Sequence, residues 1–246
     1  MPSGMYTPLI VHGSVTDQYT CSTPFVTKYP ALASQLPKVE LDRQEAISAL
    51  LLSVQRLSQD LQFILQEYYT PMKKNGLMTK ELKQVFAEVD DLASGTRHIA
   101  DVLEERQSSS PIIEKAADAF NKRDSLWTKY ASYLTNYDKI VKRVENARAD
   151  SDKANQFLTT RARDLAPLET LLARPVQHLL DLELLLDELD SATASSHPDS
   201  KYVGEMVKIV HNCLENMNSD RLLHFSKLRE LQRQLYFTQK VKVKAH

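Results

Sequence analysis

Few residues in this chain have the types and the spacing of an active site. Seven histidines occur among 246 residues, but no two stand four apart with a supporting glutamate, as a helical zinc site requires. The chain also lacks a Gly-x-x-x-x-Gly-Lys phosphate loop and a Gly-x-Ser-x-Gly elbow, and its five glycines are scattered. Cys21 and Cys213 lie far apart, which supports neither a zinc site nor a disulfide framework. We therefore expect no metal, no cofactor and no site for bond-making chemistry.

Two clusters of chemically active side chains remain, and each has an ordinary structural interpretation. Carboxylates grouped on one helix favour a solvated acidic face. Aromatic residues at three- and four-residue steps favour a seam that faces the core rather than a stacking platform for a ligand. The acidic cluster consists of Asp181, Glu183, Asp187, Glu188 and Asp190, and the aromatic one of Trp127, Tyr130, Tyr133 and Tyr137.

The composition sets limits on the elements that position these residues. With 42% hydrophobic and 26% charged residues, the chain can bury a large core as one or at most two domains. Its net charge of −1 argues against a general nucleic-acid or membrane-surface binder. No apolar run approaches the roughly 20 residues that a membrane span needs, and residues 1–15 lack the order of a secretory signal. We expect a cytoplasmic protein.

The chain divides into three regions. Residues 1–38 contain five prolines and no helical period, which predicts an extended N-terminal arm. Residues 39–237 carry apolar residues every three or four positions, which predicts amphipathic helices. The tail, residues 238–246, alternates with period two from Lys240 to Lys244 and is typical of the start of a strand, although no second strand is available to pair with it.

The apolar periodicity predicts an all-α, elongated antiparallel helical bundle. The first long helix is expected to end near Thr70–Pro71, because proline disfavours helix in the residue before it. Thr79 is the expected N-cap of the second helix, after the Asn75–Gly76 break. The expected core includes Leu61, Phe86, Tyr133, Leu185 and Val210. Further helices are predicted over Ile112–Lys122, Leu126–Glu145, Asp150–Ala166 and Leu168–Ala194, and a last long helix is predicted to open at Val203 and to bend near Asn218–Asp220.

Several segments, in a fixed order, carry a resemblance to a known family. The strongest is Pro175–Val176–Gln177, which leads into Glu183–Leu184–Leu185–Leu186. From Val39 to about Tyr236 the chain resembles the Dbl homology (DH) domain of Rho-family guanine nucleotide exchange factors, an elongated helical bundle. The other matching segments are Val54–Leu61, Tyr68–Met72, Leu82–Phe86, Trp127–Tyr137 and His197–Pro198–Asp199.

The resemblance implies a surface that contacts a Rho-family GTPase, lined by Val54, His178, Asp181, Asp187 and Asn218. Val54 stands where active members have a glutamate that contacts switch I, His178 replaces an arginine, and Asp181 replaces a basic residue, whereas the family's asparagine is kept as Asn218. Restoring the charges, with Val54→Glu and Asp181→Lys, is therefore expected to raise exchange.

The resemblance implies that the protein binds the GTPase switch regions and stabilises the nucleotide-free state. One alternative is a DH-like bundle without exchange activity that acts as a scaffold or GTPase-binding module. Another is a membrane-shaping or spectrin-like bundle, which would need a basic concave face or a three-helix repeat that the sequence does not show. In this family a pleckstrin homology (PH) domain usually follows, and residues 238–246 resemble its beginning. Recruitment to a membrane or the cytoskeleton is compatible with such a protein.

Overall fold

Long helices account for most of the chain in the structure, a computed structural model that describes residues 24–121 and 124–215 together with Leu223 and Lys227. No strand occurs in this part of the chain, and none of its helices is long and apolar enough to cross a membrane. The elements are α1 (Pro24–Lys28), α2 (Pro30–Ala33), α3 (Lys38–Ile64), a π-helical turn (Leu65–Tyr69), α4 (Thr70–Lys74), α5 (Lys80–Ser109), α6 (Asp118–Asn121), α7 (Asp124–Asp150), α8 (Asp152–Asp164), α9 (Leu168–Leu172), α10 (Arg174–Ala192) and α11 (Ser200–Glu215).

The long helices pack side by side as an elongated antiparallel bundle, as predicted. Asp60, near the end of α3, faces Arg174 at the start of α10, with 3.8 Å between Oδ2 and Nε. Arg43, near the start of α3, faces Asp199, which follows α10 in the chain. These two contacts fix opposite directions for α3 and α10. α3 also packs against α5, α5 against α7, and α10 against α11. The 30 residues of α5 span about 45 Å.

The core follows the apolar stripes of these helices, with one correction. Leu61, Phe86, Tyr133 and Val210 are buried as expected, and so are all four residues of the aromatic seam. Leu185 is only half-buried, so its placement in the core was wrong. The buried stripe of α10 runs through Leu182, Leu186 and Leu189, and a 3.6-residue period leaves Leu185 at the edge of that stripe.

Three helix predictions were correct and one was not. Thr79 caps α5, because its Oγ1 accepts a hydrogen bond from the Leu82 N–H at 3.2 Å. α7 and α8 match the predicted Leu126–Glu145 and Asp150–Ala166 to within a few residues. The predicted helix Leu168–Ala194 is instead two helices that part at Ala173. Pro175 lies in the first turn of α10, where its missing N–H leaves no donor unpaired.

The first long helix does not end at Thr70–Pro71 as expected. The chain passes from α3 through the π-helical turn into α4, and Pro71 sits in the first turn of α4. Both the N–H and the Oγ1 of Thr70 bond to the Leu65 carbonyl, a five-residue step that re-registers the backbone just before the proline. Tyr68 anchors the turn by donating its hydroxyl proton to the Ala166 carbonyl.

The predicted helix Ile112–Lys122 is also wrong, because residues 110–117 are irregular and only Asp118–Asn121 is helical. The backbone groups that a helix would pair internally are bonded to side chains of other helices. The Ile113 carbonyl accepts from Arg43 Nη1 at 3.0 Å and from Gln44 Nε2 at 2.9 Å, and the Ile113 N–H donates to Gln44 Oε1. Arg106 Nη1 donates to the Lys115 carbonyl at 2.6 Å.

A buried charge network joins this irregular segment to the start of α11. Asp199 is fully buried, and its Oδ2 accepts from the N–H groups of Ala116 and Ala117 at 2.8 and 3.3 Å. The guanidinium of Arg43, also buried, lies 3.5 Å from the same oxygen. Three backbone segments distant in sequence therefore meet at one carboxylate, which fixes where α11 begins.

Part of the predicted N-terminal arm is helical rather than extended. α1 and α2 cover residues 24–33, and Pro30 occupies the first turn of α2, where proline is tolerated. Phe25 is buried, α1 packs against α3, and Lys28 Nζ donates to Gln107 Oε1 at 2.6 Å. The rest of the arm before residue 24, the bend near Asn218–Asp220 and the tail at residues 238–246 lie outside the described residues.

Candidate functional site

Helix α10 has two chemically different sides. The side toward α3 and α11 is apolar and closed, with Val176, Leu179 and Leu186 all at 0% exposure. The rest of its circumference carries carboxylates: Asp187, Glu188 and Asp190 are exposed, and Asp181 and Glu183 are half-buried. The helical period places Glu183, Asp187 and Asp190 on one side of α10, and Asp181 and Glu188 on the opposite flank of the apolar stripe. We refer to Glu183, Asp187 and Asp190 as the acidic face.

Val54 does not line this surface. It is 1% exposed and packs in the core of the bundle, in the same stripe of α3 as Leu50, Leu57 and Leu61. A valine at this position has no polar group that favours solvent, so the apolar stripe extends through it. The expected role of Val54 as a contact residue is therefore wrong, and a glutamate restored there would enter the core.

His178 is buried as well, at 9% exposure. Its Nδ1 lies 3.2 Å from the hydroxyl of Tyr130, and the two rings are stacked with centroids 6.4 Å apart. Tyr130 in turn stacks on Trp127. Because burial strips water from the charged imidazolium, the pKa of His178 falls to about 4, and the ring is neutral near pH 7. The histidine of the Pro-Val-Gln-His step is thus a packing residue between α7 and α10, and its expected place on the contact surface was wrong.

Of the five residues expected to form one face, two lie at the surface of α10 on different sides of the helix, and two lie inside. Asp181 is half-buried and Asp187 is exposed, whereas Val54 and His178 are interior. Asn218 lies outside the described residues. The candidate contact surface therefore consists of the acidic face of α10 and the adjoining side of α11.

A histidine that sequence reasoning missed bridges α10 and α11. The imidazole of His211 lies between two carboxylates, with Nδ1 3.8 Å from Glu183 Oε1 and Nε2 3.3 Å from Glu215 Oε1. His211 and Glu215 stand one turn apart on α11, a spacing visible in the sequence, but the approach of Glu183 depends on the packing of two helices. The three side chains extend the polar surface from α10 onto α11.

The seam between α3 and α10 carries a second polar group. Burial raises the pKa of Asp60, and the nearby guanidinium groups of Arg174 and Arg56 partly oppose that rise. Arg174 Nη1 also donates to Gln177 Oε1 at 3.3 Å. Gln177 is the third residue of the Pro-Val-Gln step, so that motif orients the arginine that joins the two helices.

The charges of α10 oppose its own dipole. The carbonyl end of a helix carries partial negative charge, so an acidic residue in the last turns costs stability, typically about 0.3–1 kcal/mol. Asp187, Glu188 and Asp190 lie in that part of α10, and its last turn contains no basic residue.

The polar groups of this surface do not converge on one point. Within residues 24–121 and 124–215, no group of three or more His, Cys, Asp or Glu side chains is placed to hold a metal ion. The five carboxylates of α10 and the His211 and Glu215 side chains of α11 are spread along two helices. Such a surface can dock a basic protein face.

Comparison with known proteins identifies what this fold is similar to. The model of the RhoGEF domain matches residues 46–218. Rac guanine nucleotide exchange factor JJ of Dictyostelium discoideum is 26% identical over 178 residues, which are 68% of this chain but only 15% of that protein. The chain likewise spans only 36% of a second relative, Rho guanine nucleotide exchange factor 3 of Gallus gallus, at 26% identity over 187 residues and 74% of this chain.

Solved structures show the same architecture. A ternary complex between human RhoA, its inhibitor and the DH/PH domain of human ARHGEF11 contains a chain that superposes with a TM-score of 0.67 at 19% identity, covering 76% of this chain and 56% of that one. The DH domain of FARP2 superposes with a TM-score of 0.61 at 23% identity, covering 81% of this chain and 100% of that one. At these identities the likeness concerns the fold.

Proposed function

The chain belongs to the RhoGEF domain family, and from this premise we propose that it is a guanine nucleotide exchange factor domain that acts on a Rho-family small GTPase by stabilising its nucleotide-free state. The observation that carries the proposal is the extent of the match: residues 46–218 include most of α3 and the whole of α10 and α11. These are the helices that adjoin the acidic face. Support also comes from a structural neighbour that is a DH/PH domain in complex with human RhoA.

Exchange of this kind needs no covalent step. A protein that binds the nucleotide-free GTPase more tightly than the GDP-bound form must, by thermodynamic linkage, weaken the binding of GDP by the same factor. Each tenfold preference corresponds to about 1.4 kcal/mol of differential binding. A helical bundle can supply this differential binding energy if it binds the switch regions in one conformation only.

The acidic face determines which kind of partner surface fits. Asp181 stands where the family has a basic residue, and on another side of α10 the exposed Asp187 and Asp190 create a negative potential together with Glu183. Like charges facing one another across an interface cost several kcal/mol, whereas opposite charges steer association. We infer that the cognate GTPase presents lysine or arginine side chains to α10.

A charge-reversal experiment tests the role of this face. GDP release is measured from a panel of purified Rho-family GTPases with the native domain and with the double variant Asp187→Lys/Asp190→Lys. The variant is expected to lose at least about tenfold in rate on the cognate GTPase, because repulsion replaces attraction at two points. Both positions are exposed, so the fold is expected to tolerate the change.

The matched control reverses two exposed carboxylates on α5, Asp90→Lys/Asp101→Lys, which changes the net charge equally. It is expected to retain a rate within about twofold of the native one, since screening weakens distant charges. Equal loss in both variants would mean that only overall charge matters, and would remove α10 from the contact surface.

A second candidate function is binding without exchange. It is favoured by one observation: Val54, at the position of the glutamate through which active members contact switch I, is in the core and cannot make that contact. A module of this kind would bind the GDP-bound and nucleotide-free forms with similar affinity and leave the rate of release unchanged. The release assay on the same panel separates the two functions.

A further inference from the structure

Four lysines without ion-pair partners among the described residues lie at the turn between α4 and α5. They are Lys73, Lys74, Lys80 and Lys83, all exposed. Within residues 73–83 only Glu81 carries the opposite charge. The turn is therefore strongly positive, although the whole chain has a net charge of −1.

The neighbouring acids do not neutralise this turn. Glu67, in the π-helical turn beside it, is engaged by Arg161 at 3.3 Å. Glu88, one turn further along α5 than Lys83, is engaged by Arg143 at 2.7 Å. Lysines without a carboxylate partner also occur elsewhere among the described residues, Lys139 and Lys153 among them, but the α4–α5 turn groups four of them within residues 73–83.

Two of the four lysines border an open surface depression of about 380 Å³, which we call the lysine cleft. It is lined by Tyr69, Lys73, Gly76, Met78 and Lys83. The Tyr69 ring packs against Phe86 with centroids 5.5 Å apart, and Lys73 Nζ lies 5.3 Å from the centre of the same ring.

The backbone around the cleft is held in place. Asn75 Nδ2 donates to the Pro71 carbonyl at 2.8 Å, and the Leu77 N–H donates to the Met72 carbonyl at 2.9 Å. Gly76 completes the turn with a φ of 66°, a left-handed conformation that favours glycine. The backbone of the turn is thus ordered before any ligand arrives, which lowers part of the entropic cost of binding.

We propose that the lysine cleft binds a phosphate-bearing small ligand that carries more than one phosphate group, of the size of an inositol phosphate headgroup. Lys73 and Lys83 contact the phosphates from two sides, and Lys74 and Lys80 add to the local positive potential. Lysine ammonium groups bind phosphate as point charges. Tyr69 and Met78 offer an apolar surface to the carbon skeleton of the ligand. Two lysines that border one depression match a compact polyanion, which carries its charges close together.

The cleft is separate from the acidic face. Arg174 at the start of α10 meets Asp60 near the end of α3, and α10 then runs back along α3 away from the π-helical turn. Asp187 is 13 residues further along α10, which corresponds to about 20 Å. This proposal therefore does not depend on nucleotide exchange, and each can fail without the other.

Binding is tested with soluble inositol trisphosphate by calorimetry and with phosphatidylcholine vesicles that contain phosphatidylinositol bisphosphate. The cleft variant is Lys73→Gln/Lys83→Gln, and the control is Lys139→Gln/Lys153→Gln, which removes the same charge from exposed positions on α7 and α8. The native domain is expected to bind saturably. The cleft variant is expected to bind at least about tenfold more weakly and the control within about twofold of the native domain, because only the first pair borders the cleft.

The two probes also distinguish the source of the phosphate. Cleft-dependent binding of the vesicles assigns the site to a lipid headgroup, and cleft-dependent binding of the soluble compound alone assigns it to a free phosphate ester. The proposal is overturned if neither probe binds, or if the control variant weakens binding as much as the cleft variant. It is also overturned if phosphatidylserine vesicles of equal charge or a polyglutamate peptide bind as tightly as the phosphorylated probes. Thermal melting of each variant verifies that the fold is intact.

Discussion

At the scale of single residues, the neutral His178 ring makes stability depend on pH. In the unfolded chain its pKa is near 6.5, whereas burial lowers it to about 4 in the folded protein. Between these values the unfolded chain binds a proton that the folded protein does not, so stability falls as the pH is lowered from about 6.5 to about 4 and levels off below that. The loss attributable to this residue is on the order of 3 kcal/mol.

Chemical denaturation across this pH range measures the effect. In His178→Phe the ring still stacks on Tyr130, but the pH-dependent loss due to this residue is expected to vanish, whatever the variant costs at pH 7. The control His98→Phe changes an exposed histidine and is expected to keep the native pH profile. A profile in His178→Phe with the same slope as the native protein would show that His178 is not held neutral.

Val54 offers a second test at this scale. Because its side chain is 1% exposed, Val54→Glu places a carboxylate in the core. We expect a destabilisation of about 3 kcal/mol or more, and no gain in exchange when Asp181→Lys is added, since an uncompensated buried charge is costly. Ser53→Glu, which adds the same charge at the adjacent, partly exposed position, is expected to cost no more than about 1 kcal/mol. Urea denaturation measures the free energy of unfolding of both variants. Equal stability of the two would place Val54 at the surface.

The candidate site could be predicted from the sequence only in part, for reasons visible at individual residues. The Pro-Val-Gln step located α10 correctly, and the clustered carboxylates predicted its solvated face. An alignment does not, however, give the direction of a side chain once a polar residue has become apolar, which is why Val54 was misplaced. Arg43 and Asp199 are separated by 156 positions, and no local pattern links two such residues before the bundle is assembled.

At the scale of elements, the rotation of α10 about its own axis can be tested directly. Leu186 is fully buried, whereas the adjacent Leu185 is half-buried at the edge of the apolar stripe. Leu186→Ala is expected to destabilise by about 2–5 kcal/mol, and Leu185→Ala by clearly less, because truncation leaves a cavity only where the side chain is enclosed. Denaturant unfolding measures the stability of both variants, which carry the same substitution at adjacent positions of one helix. A larger loss for Leu185→Ala would mean that α10 is rotated from the orientation described.

The helices themselves were largely predictable because their apolar residues recur with a helical period. The exceptions are the places where long-range contacts override local preference. Residues 110–117 stay irregular because Arg43, Gln44 and Arg106 take their backbone groups, and the helix continues through Pro71 because a π-helical turn shifts the register before it. Neither these hydrogen bonds nor the π-helical turn can be predicted from the neighbouring sequence.

At the scale of the whole molecule, the bundle separates two surfaces of opposite charge. The acidic face lies along α10 toward α11, and the lysine cleft lies beyond the end of α3. The buried Arg43–Asp199 pair fixes the start of α11 relative to α3, and so holds the helices that adjoin the acidic face in a constant arrangement. A rigid scaffold of this kind can favour one conformation of a partner over another, which is what nucleotide exchange requires.

The central claim is that this domain binds the nucleotide-free form of a Rho-family GTPase in preference to the GDP-bound form. The most direct test is to measure the two dissociation constants side by side, with the nucleotide-free and GDP-loaded forms of each GTPase in the panel. We predict that for at least one GTPase the nucleotide-free form binds at least about a hundredfold more tightly, a difference of about 2.7 kcal/mol. Equal affinity for the two forms across the whole panel would contradict the proposal and leave a binding module without exchange activity.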